Sequence, residues 1–261
     1  MDNILIGTSG FSYNDWLGPL YPPGTPKHEF LSLYGAEFPF VELNFSYYRQ
    51  PDPGIMERMV RQTPDGFTFT IKAHQSLTHE QSADFTESAR TFKEGISPLH
   101  NAAKLAAVLF QFPYSFHYNP DSRRYLKRIC TEFKGLPLAV EFRNNKWQKE
   151  SVYRGLRELG AAFVCVDQPD LPGLLQPEAV VTGDLAYVRF HGRNRQNWWQ
   201  GDNTSRYDYL YSKEELSSWI ERLRYLAARV RLLLVAFNNH SRGQAVQNAR
   251  ELKNIIRHTF T

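Results

Sequence analysis

Short apolar runs recur along the chain, each followed by a stretch in which apolar residues return at helical spacing. The runs cover residues 4–9, 40–44, 67–73, 106–112, 138–143, 162–167, 186–191 and 231–237. They are nearly continuous in Val, Ile, Leu and Phe rather than alternating, the pattern of strands covered on both faces. Behind them, single helical stripes are formed by Phe30, Tyr34 and Phe38, by Ile55, Met56, Met59 and Val60, and by Phe92, Ile96, Leu99 and Ala103. Further stripes are Tyr125 to Phe133, Val152 to Leu159, Leu216 to Ala227, and Ala245 to Ile256. Thr25-Pro26, Asp52-Pro53, Asp121 and the Ser212…Glu215 capping box mark helix starts, and Gly160 marks a stop. Pro98 predicts a kink or a fresh start at Ser97. Residues 168–184 carry Pro169, Pro172 and Pro177 and no full helical pattern, so the helix after strand six is reduced.

Strands that alternate with helices pair in parallel, because a parallel pair needs a long crossover. Eight such units in 261 residues predict an α/β fold, a (β/α)8 TIM-type barrel. An open dinucleotide-binding sheet would want a GxGxxG turn after its first strand. Here that strand runs into Gly7-Thr8-Ser9-Gly10-Phe11. Without a linker or an internal repeat, residues 1–261 read as one domain.

Composition is that of an ordinary globular chain, 42% hydrophobic and 22% charged, with a net charge of +4. The mild basicity permits a nucleic-acid or phosphorylated partner, and equally a solvated Arg/Lys surface. Cys130 and Cys165 read as buried structural thiols in a reducing compartment, with no CxxC. Met1-Asp2-Asn3 leads straight into the first strand, and no run of 18 apolar residues occurs, so a cytoplasmic protein with no membrane partner is expected.

Residues i and i+2 of a strand point the same way. Polar pairs at that spacing end several strands: Glu42 and Asn44, Lys72 and His74, Glu141 and Arg143, Arg189 and His191. Gln111, Asp167 and Asn238-Asn239 end three others. In barrel enzymes the carboxyl ends of the strands line the active site. The alternative is a buried, hydrogen-bonded plug that fixes barrel register. Glu42, Glu141 and Asp167 are offset by Lys72, Arg143 and Arg189, and such nearby cations oppose a divalent metal. A ligand set from His74, Glu141, Asp167, His191 and His240 is therefore disfavoured, no HExxH is present, and neither metal nor cofactor is expected. A carboxylate pair such as Glu42 and Glu141 could serve glycosidase chemistry, but Arg143 would keep Glu141 ionised, which suits a base. His191 is the better general acid or base.

The loops after strands seven and eight, with Gly192-Arg193 and residues 238–243, could hold an anion at a helix start, or simply cap that helix. The loop 193–211 interleaves Arg193, Arg195 and Arg206 with Trp198, Trp199, Tyr207, Tyr209 and Tyr211. Stacking faces beside guanidiniums suit single-stranded nucleic acid, carbohydrate, or a lid over a small ligand.

The ordered segments ILIGTSGFSYNDW, VELNFSYYRQP, FTIKAHQSLTH, LFQFPYSF, VEFRNNKW, YVRFHGR, RYDYLYS and AFNNHSRGQA resemble the YecE-like family, a widespread domain of unknown function. The resemblance spans residues 4 to about 252. It implies a TIM-type barrel, a cytoplasmic location and no established activity. Members are compared in fold with apurinic-endonuclease and xylose-isomerase-like barrels, and the zinc-site carboxylates and histidines of the endonucleases find no clear counterparts here.

The sequence thus points to an enzyme, a hydrolase or lyase, acting at the barrel mouth on a small anionic substrate, phosphorylated or nucleotide-like. Glu141 and His191 would transfer protons, with Arg143, Arg189 and Asn239 holding the anion. Glu42, Asn44, Lys72, His74, Asp167, Arg193, Trp198, Tyr207, Asn238 and His240 complete the expected lining. The alternatives are a nucleic-acid binding protein using the loop 193–211, and a small-ligand sensor without turnover.

Overall fold

The computed structural model describes residues 3–81 and 84–259. Eight parallel strands close in sequence order into a barrel: β1 Ile4–Ser9, β2 Phe40–Leu43, β3 Thr68–Lys72, β4 Leu105–Gln111, β5 Leu138–Glu141, β6 Ala161–Asp167, β7 Leu185–Phe190 and β8 Leu232–Phe237. The helices are α1 Phe30–Glu37, α2 Pro53–Gln62, α3 Gln75–Thr78, α4 Phe85–Asn101, α5 Pro120–Glu132, α6 Glu150–Leu159, α7 Asn203–Arg206, α8 Lys213–Ser217, α9 Ile220–Ala227 and α10 Gln244–Thr259. Between β6 and β7 no helix forms, as the three prolines dictate. No helix among the described residues is long and apolar enough to cross a membrane.

Local chemistry sets most helix ends. Asp52 accepts from Ile55 N at α2, Ser212 and Glu215 close the capping box of α8, and Gly160 ends α6 at φ +67°. Three expectations shift. Asn119, not Asp121, caps α5 through Ser122 N at 2.8 Å. Thr25 donates to Pro22 O instead of capping, and a 3-10 turn at Lys27–Glu29 precedes α1. The third is α4, which runs unbroken through Pro98. Proline has no N–H for the Glu94 carbonyl, and Ser97 Oγ donates to that carbonyl at 2.8 Å in its place.

The helices pack Trp147, Trp219, Tyr34 and Phe92 against the outside of the sheet, all buried. Both cysteines are buried and free, and burial pushes each thiol up to about 12, so both are inert structural groups. Register fixes which side chains enter the barrel. Val166 pairs with Arg189 and Asp167 with Phe190. Paired neighbours share a face, so Arg189 points in while Asp167 points out among the helices.

At Gly95, α4 packs closely on the segment that leads into α2. A Cβ there would lie 2.2 Å from Pro51 O, just ahead of α2. Ala is the better helix former by about 1 kcal/mol, yet Gly95→Ala is expected to destabilise by roughly 1–3 kcal/mol through overpacking. Urea unfolding checks the sign; a more stable variant contradicts the packing.

Candidate functional site

At the carboxyl ends of the strands the inward side chains form two levels. The lower one is an ion network with almost no solvent contact. Arg189 is 2% exposed, and Glu42, Glu141 and His191 are 0% exposed. The Arg189 fork grips Glu42 with Nε at 2.8 Å and Nη2 at 2.6 Å, while Nη1 donates to Glu141. Ser9 and Tyr187 hydroxyls also donate to Glu42, and Asn44 Nδ2 donates to Ser9 Oγ at 2.7 Å. Arg143 Nε lies 3.1 Å from the second Glu141 oxygen.

Burial would raise the pKa of both carboxyls. The charge of Arg189 outweighs it at Glu42, aided by hydrogen bonds from Arg189, Ser9 and Tyr187, and holds that carboxyl below its ordinary value. At Glu141, Arg189, Arg143 and His191 together hold the carboxyl well below. Both acids are therefore ionised at neutral pH, and neither has a proton to give a leaving group. That removes the acid half of a glycosidase pair.

His191 is pushed down to about 3, chiefly by burial and then by Arg143, against the pull of Glu141. It is neutral at pH 7 instead of poised to titrate. Its Nδ1 lies 3.1 Å from Asn238 Nδ2; with that amide as donor, the ring proton sits on Nε2. Nε2 comes within 3.2 Å of Glu141 Oε1, but neither atom has an aligned hydrogen bond within the protein. The expected proton-transfer pair, Glu141 and His191, is brought together but lies beneath the cleft with no solvent contact.

Above this network lie two adjoining cavities of about 470 and 170 Å³. They share Tyr47, Tyr48, Lys72, Gln111, Arg143 and Tyr207. The larger adds His79, Trp198, Trp199 and Arg206; the smaller adds Asn44, Arg189, Asn238 and His240. No Asp or Glu lines either one among the described residues. Trp198 is buried, its ring 5.5 Å from the Arg143 guanidinium carbon and 6.4 Å from His191, so it roofs the network. Tyr207, 5.9 Å from His191, lies beside it. His240 stacks on Tyr13 at 4.6 Å. A further groove of about 470 Å³ between α5 and α6 contains no buried ionisable cluster.

Several expected site residues go elsewhere. Asp167, on the outer face, accepts from Arg193 Nε and Nη2 at 2.8 and 2.6 Å, from Tyr211 Oη at 2.7 Å and from Trp219 Nε1 at 2.6 Å. Its oxygens are saturated, and Arg193 is spent on Asp167 and Glu215. Asn239 also faces outward, tying Tyr209 O to Asn248. His74 caps α3 through Ser76 N. The expected anion place after β7 and β8 is already filled, since Gly192 N donates to Tyr211 Oη and Arg242 N to Asp15. Among the described residues no cluster of His, Cys, Asp and Glu could hold a metal ion.

What the expected lining lacked is Tyr47, Tyr48 and His79, from the loops after β2 and β3, and Gln111, Trp199 and Arg206. Gln111 was visible as a strand end. The two tyrosines stand in the NFSYYRQ segment, where no periodicity tells which way a loop side chain turns.

The ion network makes a pH-dependent prediction. In the wild type both folded-state carboxyl pKa values lie below the unfolded value of about 4.3, so their contribution is full above that pH and fades as pH falls through the lowered values. Arg189→Met strands two buried carboxylates and is expected to cost about 3–5 kcal/mol at pH 7. Burial then raises their pKa, so the deficit should shrink as pH drops from 7 to 5. Urea midpoints of both proteins across that range check it; a constant deficit contradicts the assignment.

The chain is similar to proteins whose descriptions assign no activity. The pattern of the family described as "Protein of unknown function DUF72" matches residues 5–261. The chain is 31% identical to the UPF0759 protein YunF of Bacillus subtilis over 97% of its own length and 94% of that protein. A DUF72 family protein from Thermotoga maritima superposes with a TM-score of 0.91 at 41% identity, over 98% of this chain and 99% of that one. Another, from Enterococcus faecalis, gives a TM-score of 0.87 at 29% identity, over 97% and 95%. With fold and sequence matched end to end, the chain belongs to the DUF72 family of proteins of unknown function.

Proposed function

We propose that this protein is an enzyme whose mouth cleft binds a small anionic molecule carrying a flat ring or a phosphoryl group. The observation that carries the reading is the lining of the two cavities: Lys72, Arg143, Arg189 and Arg206, with no carboxylate among the described residues. Glu42 and Glu141, which neutralise Arg189 and Arg143, lie beneath and cannot approach a ligand. A low-dielectric pocket edged by cations and closed to acids attracts an anion far more strongly than the same charges in water. Trp198, Trp199, Tyr47 and Tyr207 supply ring faces for stacking. Glu141 acts in this reading as a positioning residue, accepting from Arg189 and lying 3.1 Å from Arg143 Nε.

A second reading has one observation in its favour. Trp199 at 52% and Tyr48 at 63% exposure leave large ring faces in solvent at the cleft edge, where they suit the neighbouring bases of a single strand.

Calorimetry with a nucleoside monophosphate and inorganic phosphate, beside anisotropy with a labelled oligonucleotide, separates the two. Millimolar or tighter binding of the small anions is expected, weakened about 10- to 100-fold by Arg143→Ala, the loss of a charged hydrogen bond. Arg206→Ala, outside the ion network, should weaken it in the same direction. Binding only to the oligonucleotide, falling steeply with salt, would favour the second reading. No anion binding at all, or binding indifferent to both arginines, rejects the cleft as an anion site.

A further inference from the structure

Lys72 ends β3 on the inward face and lines both cavities. Its Nζ donates to Gln111 Oε1 at 2.8 Å and lies 4.2 Å from the centre of the Tyr47 ring. Gln111 is fixed in that orientation because its Nε2 donates to Phe112 O at 2.7 Å. Among the described residues Lys72 forms no ion pair with a carboxylate. Lys104, a buried lysine just ahead of β4, is a contrast: its Nζ is held at the carboxyl end of α2 by Val60 O, Thr63 O, Thr63 Oγ1 and Pro64 O at 2.8–3.1 Å. Four oxygens settle an ammonium. One amide oxygen and a ring face leave an amine with a reachable lone pair.

We propose that Lys72 is an imine-forming nucleophile, and that the cleft takes an anionic aldehyde or ketone whose carbonyl carbon reaches its Nζ. The inference rests on the reading of the cleft as an anion site and adds the reacting group. The groups facing Lys72 act together. Burial is the largest influence; Arg189 on β7 repels the ammonium next, Glu141 below attracts it, Arg143 after β5 repels it, and Glu42 attracts it least. The outcome is a pKa lowered to about 7. His79 nearby is itself pushed down to about 4 by burial, Lys72 and Arg143, so it adds no charge at neutral pH. About half of Lys72 is then the free amine at pH 7, whereas an ordinary lysine near 10.4 is almost wholly protonated.

The step balances without an oxidant or a cofactor. The Nζ lone pair adds to the carbonyl carbon, and the carbonyl π pair moves to oxygen, which takes up one amine proton. The carbinolamine hydroxyl leaves as water with the second amine proton as the C=N bond forms. The imine withdraws electrons from the adjacent carbon, which supports carbon–carbon cleavage, dehydration or proton exchange there.

The test uses the intact protein with pyridoxal 5′-phosphate, which combines an aldehyde, a phosphate and a flat ring, and with pyridoxal, which lacks the phosphate. Each is followed by borohydride reduction and mass-spectrometric mapping of the modified lysines from pH 6 to 9. Lys72 is expected to be trapped at pH 7 about 1,000-fold faster than the surface lysines, from its larger free-amine fraction. Labelling should half-saturate near pH 7, be slowed by inorganic phosphate, and vanish in Lys72→Arg. Fast labelling of Lys72 by both aldehydes alike, unaffected by phosphate, upholds the nucleophile and rejects the anion site. Small-anion binding by calorimetry with Lys72 labelled no faster than the surface lysines overturns the nucleophile and leaves the anion site standing. Neither binding nor selective labelling overturns both.

Discussion

One guanidinium, that of Arg189, is clamped between two carboxylates in the dry centre of the barrel. The mouth is organised around this contact. Taking such charges out of water costs several kcal/mol per ion, and the cost is tolerable here because nearly every lone pair and N–H of the fork finds a partner. The same contact fixes the charge available above it. Glu42 and Glu141 balance Arg189 and Arg143, and His191 is neutral, so the layer sums to zero before Lys72 is counted. Arg206 makes the cleft above it positive, and a proton on Lys72 adds to that charge. The mouth can relieve that charge by releasing the proton or by taking up an anion, and both responses come from the single network underneath.

Strand parity divides the chemistry. Arg189 and Asp167 stand near each other on adjacent strands, but their faces are opposite. Facing inward, Arg189 builds the floor. Facing outward, Asp167 collects Arg193, Tyr211 and Trp219 into one knot that fastens the excursion between β7 and α8 to the barrel wall. With that excursion fastened, Trp198 is held beside Arg143 and over His191. The outer knot is therefore what keeps the inner network dry, and residues with no access to a ligand decide what a ligand meets.

This division also explains what could be read from the sequence. Strand order, barrel class and the missing helix after β6 follow from apolar runs, their spacing and three prolines, all local signals. The inward placing of Glu42 and Asn44, of Lys72, of Glu141 and Arg143, and of Arg189 and His191 followed from the two-residue repeat. That repeat fails at a strand end, where the chain leaves the pleat: His74 turns to cap α3 and Asn239 turns outward. It could not separate Asp167 from Glu141 either, because parity must be known for each strand and the closing register belongs to the assembled barrel. A histidine taken at its solution pKa is placed in the wrong titration range when two arginines and a dry cavity surround it. Such shifts depend on neighbours 48 residues away in the chain, as with Glu141 and Arg189.

The anion and the amine constrain each other. A phosphoryl group placed directly on Lys72 would draw the proton back and silence the lone pair, because a nearby opposite charge favours the ammonium. An anion held instead by Arg143 and Arg206, on the side of the larger cavity, leaves Lys72 free and brings a carbonyl to it only if the two ends of the ligand are several bonds apart. Trp198 stands beside Arg143 along that span, which suits a flat or extended body between the ends. The ligand that satisfies both demands is bifunctional, charged at one end and electrophilic at the other. A simple inorganic anion would occupy the same charges and shut the amine down. Competition between the two is a property of this layer's charge sum, and it follows from the buried pairing of Arg189 with its two acids.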